Sequence, residues 1–120
     1  MARLRSDFWV AAHLRRCTTE LIDAVVRRRG AAEAGAIYVS VDRLDGCVTL
    51  FGPAPQAALT GDELDRIFEP LLSDTTGLAV EERMAREIRF DPDLWWLSID
   101  DRTGRSLLTL SPQDGSTVQA

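Results

Sequence analysis

An α+β fold is predicted: a mostly antiparallel sheet of about four to six strands, built on two hairpins, with two or three helices packed on one face. Three observations carry this expectation. An alternating stretch from Gly35 to Pro53 is interrupted by Asp45-Gly46, a dipeptide suited to a two-residue type I′ turn because both central residues need positive φ. A second alternating run, Trp95 to Asp100, leads through Thr103-Gly104 into another apolar run. Before and between them, apolar residues recur at helical spacing. At 120 residues the chain is one domain by size, long enough to bury a core. Residues 1–110 are expected to form that domain, and residues 111–120 a polar, disordered tail.

The elements follow in order. Ser6 is a good N-cap and Asp7 suits the first helical turn. Val10, Leu14, Cys17 and Leu21 form one stripe, which predicts a helix from about Asp7 to Thr19. His13, Arg15 and Arg16 are read as off the stripe, so Cys17 is assigned to the core and His13 to the surface. Ala24 to Arg29, with a β-branched pair and three arginines before Gly30, reads as a short edge strand.

In the first hairpin, a turn at Asp45-Gly46 sets Val41 opposite Leu50 and Arg43 opposite Val48. Alternation then gathers Ile37, Val39, Val41, Val48 and Leu50 on one face, with Tyr38, Ser40, Asp42, Thr49 and Phe51 on the other. A hairpin alone is marginal, so other elements must cover its apolar face. Gly52-Pro53-Ala54-Pro55 ends the ladder.

Thr60 to Glu63 has capping-box spacing, and Leu64, Ile67, Phe68, Leu71 and Leu72 continue it at helical intervals. A helix ending near Phe68 is expected, because Pro70 breaks the pattern; a strand over Ile67 to Leu72 is the alternative. Val80, Met84 and Ile88 predict a further helix from about Leu78 to Arg89, stopped by Asp91-Pro92-Asp93. Within it, Glu82 with Arg86 and Arg83 with Glu87 are spaced to pair. In the last hairpin, a Thr103-Gly104 turn would place Ile99 opposite Leu108 and Leu97 opposite Leu110.

An apolar share of 45% and a charged share of 28% are those of a soluble globular protein. The net charge of −5 argues against a general nucleic-acid binder. All fourteen basic residues are arginine, so no lysine is available for a Schiff base, a phosphate loop or a catalytic ammonium. Cys17 and Cys47 are isolated and outside any Cys-x-x-Cys pair, as expected of reduced thiols in a cytoplasm. The first residues lack the apolar core of a secretion signal, and no apolar run approaches the roughly 20 residues that span a bilayer. A cytoplasmic location without membrane contact is therefore expected.

Neither phosphate-loop, dinucleotide-fold nor nucleophile-elbow motifs occur. His13 and Cys17 are four apart on one helix, but no further soft ligand lies near in sequence, so no metal site is assigned. Asp91, Asp93, Asp100 and Asp101 offer carboxylates for a metal-assisted hydrolase; ordinary turn chemistry is the preferred reading. No catalytic, cofactor-binding or metal residue is assigned, and no cofactor is expected. A candidate interaction surface comprises Trp9, Arg15, Arg16, Arg27, Arg28, Arg29, Tyr38, Phe51 and Trp96. Its arginines can grip phosphates or carboxylates bidentately. Trp95 and Trp96 point to opposite faces of a strand, so one is core and the other is exposed wherever the sheet is uncovered. The functional expectation is a small non-enzymatic interaction domain acting through a protein partner or as a homodimer. A nucleic-acid-associated protein using the arginine cluster is the alternative, and a metal-assisted hydrolase the second alternative.

Three stretches carry a resemblance: Ser6-Asp7-Phe8-Trp9-Val10, Leu50-Phe51-Gly52-Pro53-Ala54-Pro55 and Arg89-Phe90-Asp91-Pro92-Asp93-Leu94-Trp95. Together they resemble a family of short proteobacterial proteins defined only as a domain of unknown function, with a match extending to about Leu110. The resemblance implies a bacterial, cytoplasmic, stand-alone domain. It brings no activity, cofactor or site residue.

Overall fold

A computed structural model describes residues 4–55 and 66–112. The chain runs α1 (Ser6–Thr19), β1 (Asp23–Arg28), β2 (Ile37–Asp42), β3 (Val48–Pro53), β4 (Ile67–Thr75), α2 (Gly77–Phe90), β5 (Trp95–Asp100) and β6 (Thr109–Leu110). One six-stranded sheet has the order β1-β5-β2-β3-β4-β6. The α+β class and the edge position of β1 agree with the sequence expectation. The sheet is mixed rather than mostly antiparallel: β2 pairs with β5, and β4 with β6, in parallel.

The helices lie on opposite faces, not on one. The cause is a one-residue slip in the hairpin. β2 and β3 pair Val41 with Thr49 and Asp42 with Val48, not Val41 with Leu50. Two aspartates open the loop by a residue: Asp42 accepts from Leu44 N–H at 2.7 Å and Asp45 from Cys47 N–H at 3.0 Å. The loop is Leu44-Asp45-Gly46, with Leu44 at φ 64° and Gly46 at φ 95°, closed by Arg43 N–H to the Cys47 carbonyl. A slip of one residue turns every side chain of a strand to the other face. Ile37, Val39 and Val41 therefore share a face with Phe51, whereas Val48 and Leu50 share the opposite face with Tyr38 and Ser40. Both faces are apolar, and each takes a helix. Val10 and Cys17 of α1 join Ile37, Val39, Val41, Phe68, Trp95, Leu97 and Ile99 in one core. Val80 and Met84 of α2 join Val48, Leu50, Leu94 and Trp96 in the other.

Helix α1 begins without a side-chain cap. Ser6, expected as the cap, lies inside the helix and is fully buried. Its hydroxyl donates to the Gly35 carbonyl at 2.7 Å and accepts from Arg66 at 3.0 Å. The carbonyls of Ala32 and Glu33 take the first helical N–H groups instead. The stripe also ends earlier than its spacing suggests: Leu21 lies past the helix, at φ 60° and 89% exposed. Helix α2 forms where predicted, with Thr76 Oγ1 accepting from Ala79 N–H at 3.0 Å and Arg83 donating to Glu87 at 2.8 Å.

β4 is the strand that was the alternative reading, so the helix expected through Phe68 is absent at Ile67 and Phe68. The capping box at Thr60 to Glu63 and Leu64 lie outside the described residues. Pro70 sits opposite Phe51 where the ladder slips register, one of the few strand positions that tolerate proline.

The second hairpin does not form. Both edges of β5 are already occupied, by β1 and by β2, so Leu108 and Leu110 cannot pair with it. After Asp101 the chain crosses the α1 side of the sheet, packing Leu107 and Leu108 on that core, and β6 joins the far edge beside β4. Of the expected tail, residues 113–120 lie outside the described residues.

At the start of β5, the chain passes very close to the loop after β1. A Cβ on Gly30 would run into the Asp93 carbonyl and the Leu94 backbone, and one on Gly35 into the same carbonyl. The Trp95 indole N–H donates to the Ala31 carbonyl at 2.8 Å in the same place.

Candidate functional site

The sharpest charge cluster, Arg27 to Arg29, is tied into the fold. β1 slips register between Val26 and Arg28, which aims successive arginines at different neighbours. The Arg27 guanidinium lies 4.0 Å from the centre of the Trp96 ring and donates to both carboxylate oxygens of Glu81, at 3.0 and 3.2 Å. Arg28 donates to the Pro92 carbonyl at 2.8 Å, and Arg29 lies 5.1 Å from the centre of the Trp95 ring.

The aromatic candidates are largely interior. Trp96, a candidate for exposure wherever the sheet is uncovered, is only 6% exposed, because α2 covers that face. Its indole N–H donates to Ser40 Oγ at 3.1 Å. Phe51 is half-buried against the α1 core. Tyr38 is half-buried and donates to Glu87 at 3.2 Å, on the carboxylate that also holds Arg83. Burial and the charge of Glu87 push the Tyr38 hydroxyl up to about 12.

Trp9 stacks on His13 with ring centres 4.6 Å apart and meets Phe68 at 5.4 Å. His13 is buried, not on the surface. Its Nε2–H donates to the Ser106 carbonyl at 2.9 Å, which fixes the tautomer because a carbonyl only accepts. Burial lowers its pKa, and the charge of Arg16 adds to this. Burial likewise raises Cys17.

The expected acidic pairs are not brought together. Asp91 and Asp93 precede β5, and Asp100 and Asp101 end it. At about 3.3 Å per strand residue, the pairs stand roughly 20 Å apart. Each serves its turn. Asp91 accepts from Asp93 N–H at 3.1 Å. Asp101 accepts from Thr103 at 2.8 Å and from three groups of Arg105, which hold its carboxyl well below the usual range. Asp100 is raised, by burial first and then by Asp42 and Asp23 beside it.

Arg15 and Arg16 differ from the other candidates. They lie on the exposed side of α1 and line a depression of about 430 Å³ with Ala12, Thr19, Glu20 and Leu107. Neither guanidinium has a hydrogen bond or ion pair among the described residues. The opposite wall comes from Leu107, at φ 61° in the segment that replaces the expected hairpin. No signal in the sequence places Leu107 beside α1, since the expected second hairpin pairs that segment with β5.

Fold and surface together define a small α+β domain, with two helices among the described residues and an open, arginine-lined groove. Among the described residues, no group of three or more histidine, cysteine or acidic side chains is arranged to hold a metal, and no helix is long and apolar enough to cross a membrane. Residues 4–109 match the model of the family described as a protein of unknown function, DUF1491, and the chain belongs to that family. It is similar to a DUF1491 family protein from Caulobacter crescentus in its crystal structure, at 33% identity and a TM-score of 0.77, covering 92% of this chain and all of that one. A solution structure of a protein from A. tumefaciens is 37% identical, with a TM-score of 0.80, covering 93% of this chain and 98% of that one. An NMR structure of a DUF1491 family protein from C. crescentus is 34% identical with a TM-score of 0.73, covering 93% of this chain and all of that one. Both sources are proteobacteria, in line with the resemblance read from the sequence. Comparison with the curated proteins gives no match.

Proposed function

We propose that this protein is a small non-enzymatic interaction domain of the cytoplasm, and that the groove beside α1 docks an acidic segment of a protein partner. The observation that carries the reading is the contrast between its arginines. Arg27, Arg28 and Arg29 are engaged within the fold, whereas Arg15 and Arg16 line an open groove and have no hydrogen bond or ion pair among the described residues. A guanidinium fork matches a carboxylate in two parallel hydrogen bonds, and Ala12 and Leu107 supply an apolar wall beside it. Two cysteines without a disulfide are consistent with the cytoplasm. The nucleic-acid reading draws less support, since its main cluster already contacts Trp96, Glu81, Pro92 and Trp95 while the net charge is −5.

The test is a tagged pull-down from nuclease-treated lysate, comparing the wild type with Arg15→Glu/Arg16→Glu. Both side chains are exposed, so the variant should melt as the wild type does. The expected result is a stoichiometric protein whose affinity falls by at least about tenfold, some 1.4 kcal/mol, in the variant. Equal capture by both proteins, or material recovered only without nuclease, would overturn the reading.

A further inference from the structure

We propose that two copies of this chain join through the outer edges of β1, antiparallel, about a two-fold axis passing through Val25. β1 is the last strand on its side of the sheet. Among the described residues, no backbone hydrogen bond reaches Asp23 to Arg28 from outside the sheet, so one side of the strand offers unpaired N–H and C=O groups. The apolar residues along this edge are uncovered: Val25 is 58% exposed, and Leu21, just before the strand, is 89% exposed.

The occupant is read from the charges. Charges often shield an edge strand from any other strand. Here they are sorted by sign along the chain. Glu20 and Asp23 lie before Val25, and Arg27, Arg28 and Arg29 lie after it. An antiparallel copy centred on Val25 sets Asp23 of each chain across from Arg27 of the other, on the side of the sheet that α2 covers. The two valines meet between these pairs. A parallel copy would set acid beside acid and arginine beside arginine. A self-complementary strand is what an isologous two-fold contact requires, and an unrelated partner strand would have to carry the same sorting of sign. The Arg27 side chain keeps 39% exposure while paired with Glu81, so it can share its charge with a second carboxylate at the edge. The inference rests on β1 alone and is independent of the groove beside α1.

Light scattering after size exclusion, over a series of concentrations up to the millimolar range, reads the mass directly. The wild type should reach the dimer mass, and Arg15→Glu/Arg16→Glu should do the same. Val25→Lys places two ammonium groups on the axis and should weaken the dimer at least tenfold while leaving the circular dichroism unchanged. A second measurement gives the geometry. Directly opposed cross-strand residues have Cβ atoms about 4.5–5.5 Å apart, so Val25→Cys in a Cys47→Ser background should form an intermolecular disulfide. Leu78→Cys, exposed elsewhere, should not. A monomer at every concentration, a dimer that survives Val25→Lys, or a dimer that Val25→Cys fails to lock would each overturn the proposal.

Discussion

His13 is held between Trp9 and the Ser106 carbonyl, and this makes it the residue that ties α1 to the crossing segment. Its charged form is disfavoured in the folded state, so its folded pKa lies below the unfolded value of about 6.5. The unfolded chain then takes up a proton that the folded chain refuses. Stability contributed by neutral His13 is present in full above about pH 6.5 and falls as pH drops through the folded pKa. Urea unfolding from pH 7.5 to 5 should show this decline, and His13→Gln should flatten it. Asp101 acts lower on the scale: its depressed pKa contributes stability above about pH 4 that is lost on further acidification. At Gly30 the constraint is steric. Gly30→Ala should destabilise by about 1–3 kcal/mol, measured by thermal or urea melting, because the opposing Asp93 and Leu94 backbone has little room to yield. Part of this was legible. His13 stands three residues after Val10 and four before Cys17, on the buried stripe, but a polar side chain there reads as surface until its stacking partner and carbonyl are known. The glycine contact joins residues more than 60 apart, and no local pattern encodes it.

At the scale of elements, β1 and α2 are joined by one side chain. Arg27 spans from the bulged strand across Trp96 to Glu81 of α2. Both charged groups are partly exposed, so the tie is modest: an ion pair worth at most about 1 kcal/mol and a stacking contact of about 0.5–1 kcal/mol. Arg27→Ala should therefore cost about 1 kcal/mol in urea unfolding and shift the Trp96 fluorescence, while Glu81→Gln should cost less and leave the fluorescence in place. Elements with strong local signals were readable: α2 from its stripe and cap, β1 from its valines and arginines, β2 and β3 from alternation around a glycine turn. Their partners were not. Asp45-Gly46 marks a turn correctly, but the carboxylate of Asp42 decides whether the loop has two residues or three, and that choice fixes which face Val48 and Leu50 occupy. The segment from Ile67 to Leu72 has helical spacing broken by Pro70, and pairing along the edge of β3 selects the strand.

Across the whole molecule, β5 links the edge strand β1 to the rest of the sheet: it pairs with β1 and β2 and sends Trp95, Leu97 and Ile99 into one core and Trp96 into the other. Amide exchange should rank accordingly, with β5 and β2 slowest and the two-residue edge strand β6 among the first to open. The class of the fold was visible in composition and periodicity, and the exposure of Arg15 and Arg16 in their position off the helical stripe. The layering was not, since it depends on which strands have edges left when β5 arrives. That order has a consequence during synthesis. β1 and β2 leave the ribosome some 50 residues before the strand that must lie between them. Until residue 100 has emerged, the nascent chain holds two strands with facing, unfilled edges. Assembly therefore awaits a nearly complete polypeptide, with long-range pairing that slows closure. A ribosome-bound chain ending at Leu94 should be open to protease and to chaperones, and one long enough to expose Leu110 beyond the exit tunnel should be protected.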